Sequence, residues 1–118
     1  MLTSTEAKQF AEHWIHSWNS HNLDAILSHY CPDVVLTSPA VAQLLKESSG
    51  TLKGRDALGR YFARGLEAYP NLTFVLHDVL CGLNSVVLYY TNQKGTKTGE
   101  YMELDGGKVV RVVANYSA

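Results

Sequence analysis

One carboxylate, Glu100, stands out because of the strand in which it is predicted to lie. The stretch from 96 to 104 alternates in character, and Glu100 shares one face with Met102 and Leu104. Successive side chains of a strand point to opposite faces, so this pattern places Glu100 towards the interior. A carboxyl group that faces a dry cavity has a raised pKa and can donate or shuttle a proton. The alternative is a glutamate near a strand end that reaches water or an arginine.

Aromatic residues at helical spacing are candidates for the wall of such a cavity. Trp14 and Trp18 lie one helical turn apart and face the same side, although two large rings are also typical of an ordinary core. An indole N–H only donates, so Trp14 could hydrogen-bond a ligand oxygen but could not exchange a proton. A few polar tips in an apolar wall are the usual make-up of a small-molecule site. The predicted pocket residues are Trp14, Trp18, Tyr30, Ser38, Phe62, Thr98, Met102, Val112 and Tyr116, around Glu100 as the catalytic candidate.

The histidines and the known short motifs indicate neither a metal site nor a cofactor site. His13 and His16 are predicted on the polar face of their helix, and zinc needs three or four converging ligands. His77 and Asp78 are adjacent in a strand, so they point to opposite faces and do not form a dyad. The glycine motifs that bind phosphates and dinucleotides are missing from the sequence. We therefore expect no metal and no cofactor.

The composition predicts one ordinary globular domain over residues 1–118. There are 10 basic and 11 acidic side chains, so 10 − 11 gives a formal charge of −1, which favours neither nucleic acid nor an anionic membrane as partner. No run of about 18 apolar residues is present, so no membrane span is expected. Cys31 and Cys81 cannot build a disulfide framework and the N-terminus does not resemble a signal peptide, which together indicate a cytoplasmic location.

Apolar residues at spacings of three and four predict three helices in the first 70 residues. The first covers Thr5–Asn19, the second follows Asn22 as its N-cap, and the third begins after Gly54. Gly59 and Gly65 weaken the third helix by about 1 kcal/mol each relative to alanine. Because Gly65 lies on the apolar face, close packing there is a possible compensation.

Between these helices the pattern is less regular. Pro32 is expected to end the second helix, because proline disfavours helical geometry in the residue before it. A short strand, Asp33–Ser38, then runs up to Pro39. The segment 40–51 is open to two interpretations, a helical turn or a loop, and we expect it to form a flap near an opening.

From residue 71 onwards the hydrophobic period changes from helical spacing to two, which predicts strands. The predicted strands are Leu72–Cys81, Ser85–Asn92, Thr96–Leu104 and Lys108–Ser117. Their connections are short, and the Asp105-Gly106 pair is typical of a tight hairpin, so neighbouring strands should pair antiparallel. Helices followed by a meander favour an α+β fold with the helices on one face of a curved sheet.

Several local strings, taken together, resemble the SnoaL-like branch of the nuclear transport factor 2-like superfamily. They are the segments His21 to Ile26, Tyr30 to Val34, Gly54 to Leu58, Tyr69 to Leu72 and Leu104 to Val109. The resemblance implies a cone-shaped α+β roll, in which three N-terminal helices pack on a strongly curved, mostly antiparallel sheet around an apolar pocket. Members are often homodimers through the sheet, which makes Val87, Tyr89 and Tyr101 the expected contact.

The same resemblance bears on the reaction. Trp14 is similar in position to the oxyanion-donating tyrosine of ketosteroid isomerase, and Glu100 to its protonated carboxylic acid. Ser38, however, stands where that enzyme has its general-base aspartate, and serine cannot abstract a proton at neutral pH. Steroid isomerisation is therefore disfavoured. Two functions stay open: an isomerase, cyclase or dehydratase acting on a small apolar carbonyl compound, or a non-catalytic hydrophobic-ligand-binding or dimerisation domain, since fold fixes no reaction.

Overall fold

Side-chain caps set the beginnings of three of the four helices. The computed structural model describes every residue from 1 to 118. Thr3 caps the first helix in a capping box with Glu6. Asn22 caps the second helix, as predicted, by accepting a hydrogen bond from the backbone N–H of Ala25. The helices are α1 (Ser4–Asn19), α2 (Leu23–Leu27), α3 (Pro39–Leu45) and α4 (Arg55–Ala68).

Six strands form a single open sheet against which the helices pack. The strands are β1 (Tyr30–Thr37), β2 (Thr51–Lys53), β3 (Val75–Cys81), β4 (Ser85–Thr91), β5 (Lys97–Asp105) and β6 (Lys108–Tyr116). Their order in the sheet is β2-β1-β6-β5-β4-β3. The last four strands pair antiparallel in sequence order, which confirms the predicted meander, while β1 runs parallel to β6. The predicted α+β architecture is therefore confirmed, with four helices rather than three.

The region between α2 and α4 differs most from the prediction. The second helix ends at Leu27, and Pro32 lies inside β1, where the pairing with β6 changes register between Tyr30 and Val35. Proline is tolerated at such an irregularity because no ladder hydrogen bond is required of it there. The segment 40–51 contains most of α3 and the start of the short strand β2, whose bounds the sequence did not indicate. Proline at the first position of α3 suits a helix start, since its missing N–H would have no partner there.

The core lies between α1, α2, α4 and one face of the sheet. Buried side chains alternate along β4 and β5, so Leu88, Tyr90 and Met102 point inwards. On the other face Val87 lies opposite Tyr101, and Tyr89 is 36% exposed. The homodimer contact through these outward residues stays a prediction. No helix is long and apolar enough to cross a membrane.

The two glycines of α4 have different surroundings. A Cβ atom built on Gly59 would lie 3.1 Å from Cδ1 of Leu27, so this glycine lets α4 approach α2 closely. A Cβ atom on Gly65 would meet no atom within 4 Å. The expectation of close packing at Gly65 is therefore wrong, and the close approach occurs at Gly59 instead.

Candidate functional site

A cavity of about 280 Å³ lies between the helices and the inner face of the sheet. Of its 19 lining residues 13 are hydrophobic, so the wall is mainly apolar. Helix α1 contributes Trp14 and Trp18, strand β1 contributes Tyr30 and Leu36, and β5 contributes Glu100. The exposed residues of the lining, such as Arg64 of α4, mark its mouth, and buried ones such as Glu100 mark its floor.

The cavity brings together most of the residues that the sequence singled out. Those that border it are Trp14, Trp18, Tyr30, Ser38, Phe62, Glu100 and Tyr116. The other three predicted pocket residues are buried but do not border the cavity: Thr98, Met102 and Val112. Strand alternation predicts which face a residue takes, but it does not predict whether a cavity or packed side chains cover that face.

Two groups of lining residues were not among the predicted pocket residues. On α4, Tyr61, Arg64, Gly65 and Ala68 follow the spacing i, i+3, i+4, i+7, which is one face of a helix. That spacing could have identified them. On β4, Tyr90 shares the buried face of its strand and lines the cavity.

Glu100 is the acidic group of the cavity floor, and Tyr90 is its hydrogen-bond partner. The Tyr90 hydroxyl donates to Oε1 of Glu100 over 2.7 Å, and both residues are buried. Burial raises the pKa of Glu100 from 4.5 to about 7, although the hydrogen bond from Tyr90 opposes that rise. Glu100 therefore has both protonation states available near neutral pH, which is what a group that exchanges protons needs.

The tyrosines around Glu100 stay protonated. Burial, followed by the nearby charge of Tyr116 and of Glu100, raises the pKa of Tyr61 to about 12. Burial and then the charge of Glu100 also raise the pKa values of Tyr30, Tyr90 and Tyr116. These hydroxyls therefore act as hydrogen-bond donors, not as bases.

The indole of Trp14 is not free to bind a ligand oxygen. Its Nε1 donates to the hydroxyl oxygen of Tyr30 over 3.0 Å in a buried hydrogen bond. The expected donor role of Trp14 is therefore taken up inside the protein. Because the Tyr30 oxygen is the acceptor in this bond, its own proton can be donated into the cavity that Tyr30 lines. Nε1 of Trp18 is buried without a hydrogen-bond partner, although it lies near the same hydroxyl.

Ser38 has a structural role at the cavity edge. Its Oγ accepts a hydrogen bond from the backbone N–H of Ala40 over 3.1 Å and so caps α3. The same oxygen lies 3.4 Å from the hydroxyl of Tyr116. The residue before the proline of this segment is thus a helix cap and supplies no base.

The remaining chemical candidates lie outside the cavity. His77 is exposed, and its Nε2 lies 2.6 Å from Oγ1 of Thr91. No group of three or more His, Cys, Asp or Glu side chains is placed to hold a metal ion.

Comparison with known proteins identifies the family. The profile of the SnoaL-like domain matches residues 11–115, which is nearly the whole chain. The chain belongs to the SnoaL-like domain family. This domain has no match among functionally curated proteins.

Solved structures agree with that family. A SnoaL-like protein of unknown function from Burkholderia thailandensis E264 is 36% identical, with a TM-score of 0.96 over 99% of this chain and 98% of that chain. A proposed ketosteroid isomerase from Kribbella flavida DSM 17836 is 16% identical, with a TM-score of 0.76 over 97% of this SnoaL-like domain and 79% of that chain. TerC, crystallised with polyporic acid, is 15% identical, with a TM-score of 0.77 over 95% and 92% of the two chains. The last two likenesses establish the fold alone.

Proposed function

We propose that this SnoaL-like domain binds a small, mainly apolar carbonyl compound in the cavity and exchanges a proton with it through Glu100. The reaction would be of the isomerase, cyclase or dehydratase kind. The observation that carries the proposal is the Tyr90–Glu100 pair, a carboxyl group with one protein hydrogen bond on the floor of a mainly apolar cavity. A carboxyl group with a single hydrogen bond is costly to bury, so a functional reason for it is favoured.

The size and walls of the cavity support a ligand with one or two rings. The volume of about 280 Å³ is at the small end of ligand-binding clefts, which are roughly 300–1,000 Å³. Aromatic rings form much of its wall: Trp18 contacts Phe62 with centroids 4.8 Å apart, and Phe74 contacts Tyr90 at 4.5 Å. Such faces suit a flat, apolar compound.

The proposed chemistry needs only groups on the cavity floor. The Glu100 carboxylate accepts a proton from the carbon next to the ligand carbonyl, and the electron pair of the broken C–H bond forms a C=C bond. The carbonyl becomes an enolate, whose oxygen accepts a hydrogen bond from Tyr30. Protonated Glu100 then returns its proton to the same carbon or to another one, which regenerates the carboxylate.

One observation favours the alternative of a non-catalytic ligand-binding domain. Ser38 has no useful basicity and is engaged as the cap of α3. Glu100 is then the single basic group on the floor of the cavity, and it could serve only to hold a ligand hydroxyl. The two functions differ in what loss of the carboxyl group does to turnover.

The test is exchange of the α-hydrogens of 1-indanone for deuterium in D₂O at neutral pH, followed by proton NMR. We expect Glu100→Gln to lower the enzyme-dependent exchange rate by about a hundredfold or more, the usual contribution of a general base. Glu103→Gln is the matched control, because Glu103 lies on the same strand but its side chain points to the opposite face of the sheet. Binding is measured in parallel by calorimetry. If 1-indanone binds but no protein accelerates exchange over buffer, the domain is non-catalytic. If Glu100→Gln and Glu103→Gln accelerate exchange equally, Glu100 is not the base; if no ketone binds, the cavity is not a ligand site.

A further inference from the structure

The mouth of the cavity is built differently from its floor. It includes Leu44 of α3, Arg64, Gly65 and Ala68 of α4, and Asn92 and Gln93, which follow β4. We call this set the outer subsite. Three observations about it concern free space, charge and an unsatisfied polar atom.

The free space is at Gly65. A glycine inside a helix costs about 1 kcal/mol relative to alanine. Neither contact nor backbone conformation requires glycine here, because a Cβ atom would meet nothing within 4 Å and the residue has no positive φ angle. Since Gly65 lines the cavity, the space that its side chain would fill belongs to the outer subsite.

The charge is that of Arg64. Arg64 and Glu100 are the only Asp, Glu, Lys or Arg residues that border the cavity, and Glu100 is on the buried floor. Glu67 follows Arg64 on α4 but does not border the cavity. The outer subsite therefore carries a guanidinium and no carboxylate, which favours an acidic group on the ligand.

The unsatisfied atom is Oε1 of Gln93, which is buried and has no hydrogen-bond partner. A buried polar atom without a partner costs free energy unless something else supplies the bond. A side-chain amide can turn by 180° and present either its oxygen or its NH₂ group, so Gln93 can bond a ligand acid in either protonation state.

We propose that the outer subsite binds a carboxylate at one end of the ligand, while the apolar ring of the ligand reaches towards Glu100. The inference rests on the proposed function, because it describes the same cavity. It narrows the ligand class to cyclic or aromatic ketones that also carry an acid. Arg64 is the residue that selects the acid, and Gly65 is the residue that leaves room for it.

The test compares three probes by isothermal titration calorimetry: 4-acetylbenzoate, its neutral analogue 4-acetylbenzamide, and the shorter acetophenone. We expect 4-acetylbenzoate to bind more tightly than the amide, and added salt to reduce that advantage. Arg64→Gln should weaken binding of 4-acetylbenzoate by about fivefold, as expected for a solvent-exposed ion pair. It should not change the affinity for the two neutral probes, 4-acetylbenzamide and acetophenone. Arg60→Gln is the matched control, since Arg60 is an exposed arginine of the same helix that does not border this cavity.

Gly65→Leu tests the free space separately. It should weaken the binding of 4-acetylbenzoate and 4-acetylbenzamide. The affinity for acetophenone, which is short enough to lie on the cavity floor, should not change. If acetophenone binds but 4-acetylbenzoate gains nothing over its amide, or loses nothing in Arg64→Gln, the outer subsite is wrong while the proposed function stands. If none of the three probes binds, the proposed function fails and the outer subsite fails with it.

Discussion

The floor and the mouth of the cavity differ in how many of their polar groups are paired within the protein. On the floor two donor–acceptor pairs form within the protein, Trp14 donating to Tyr30 and Tyr90 donating to Glu100, while Nε1 of Trp18 is buried without a partner. At the mouth, Arg64 is exposed, Gln93 has a buried oxygen without a partner, and Gly65 leaves space unfilled. The floor is therefore packed around two buried hydrogen bonds, whereas the mouth has polar groups without partners and unfilled space.

This difference separates stability from recognition. A satisfied buried network fixes side chains in one arrangement, and breaking it leaves expensive unpaired groups. An exposed charged group at a mouth, such as Arg64, contributes little to folding and is available to a ligand. Substitutions on the floor should therefore change folding strongly, and substitutions at the mouth should change it little.

Trp14→Ala is the largest expected change and tests the floor. The indole is 1% exposed and its ring contacts Phe74 and Tyr90, so its loss leaves a cavity and an unpaired Tyr30 hydroxyl. We expect the free energy of unfolding to fall by about 3–5 kcal/mol. Urea unfolding followed by circular dichroism measures it.

Trp14→Phe is the companion variant, because it keeps an aromatic ring and removes the N–H donor. It should cost about 1–2 kcal/mol, mainly through the lost hydrogen bond and the smaller ring. Equal losses in the two variants would mean that the hydrogen bond to Tyr30, and not ring packing, dominates. A loss below 1 kcal/mol in Trp14→Ala would contradict the description of the floor as packed.

The pH dependence of stability gives the next effect. The pKa of Glu100 is about 7 in the folded chain, against an ordinary value of 4.5. Its contribution to the free energy of unfolding is therefore fully present below pH 4.5, where the carboxyl group is protonated in both states. As the pH rises from there to 7 the unfolded chain loses this proton first, and stability falls. The loss amounts to roughly 3 kcal/mol for that difference in pKa. Above pH 7 both states are ionised and no further change arises from this group.

Comparison of wild type with Glu100→Gln at pH 5 and pH 8 isolates this term, since other titrating groups are common to both proteins. The amide can still accept the hydrogen bond from Tyr90. The free energy of unfolding of the variant should lack the fall that the wild type shows between the two pH values. A fall of the same size in both proteins would mean that Glu100 is as well hydrated as the groups at the mouth.

Much of the fold follows from sequence periodicity, because burial acts on every turn of α1 and on every second residue of β4 and β5. The short elements do not follow from it. Helix α3 has one buried residue, Val41, and β2 has three residues, so neither produces a readable period. Their formation depends on tertiary contacts, such as the hydrogen bond from the Ser38 backbone N–H to the Gly50 carbonyl.

The site was predictable in part for a similar reason. Strand alternation predicts that Glu100 points inwards, and helical spacing predicts that Trp14 and Trp18 share one wall of the cavity. Which donor meets which acceptor depends on distances between elements, so the pairing of Trp14 with Tyr30 could not be derived from spacing. For the same reason, spacing could not show that Met102 and Val112, which are register partners in β5 and β6, do not border the cavity.

The smallest expected effect compares the two glycines of α4 directly. Gly65→Ala should raise the free energy of unfolding by about 0.5–1 kcal/mol, because alanine is the better helix former and its methyl group meets no other atom. Gly59→Ala brings the same gain in helix propensity, but its methyl group would lie 3.1 Å from Cδ1 of Leu27. That contact offsets the gain, so Gly59→Ala should be less stable than Gly65→Ala in urea unfolding at the same pH. If Leu27 causes this loss, adding Gly59→Ala to Leu27→Ala should raise the free energy of unfolding above that of Leu27→Ala alone. Equal increases for Gly59→Ala and Gly65→Ala would instead show that α4 does not pack closely against α2 at Gly59.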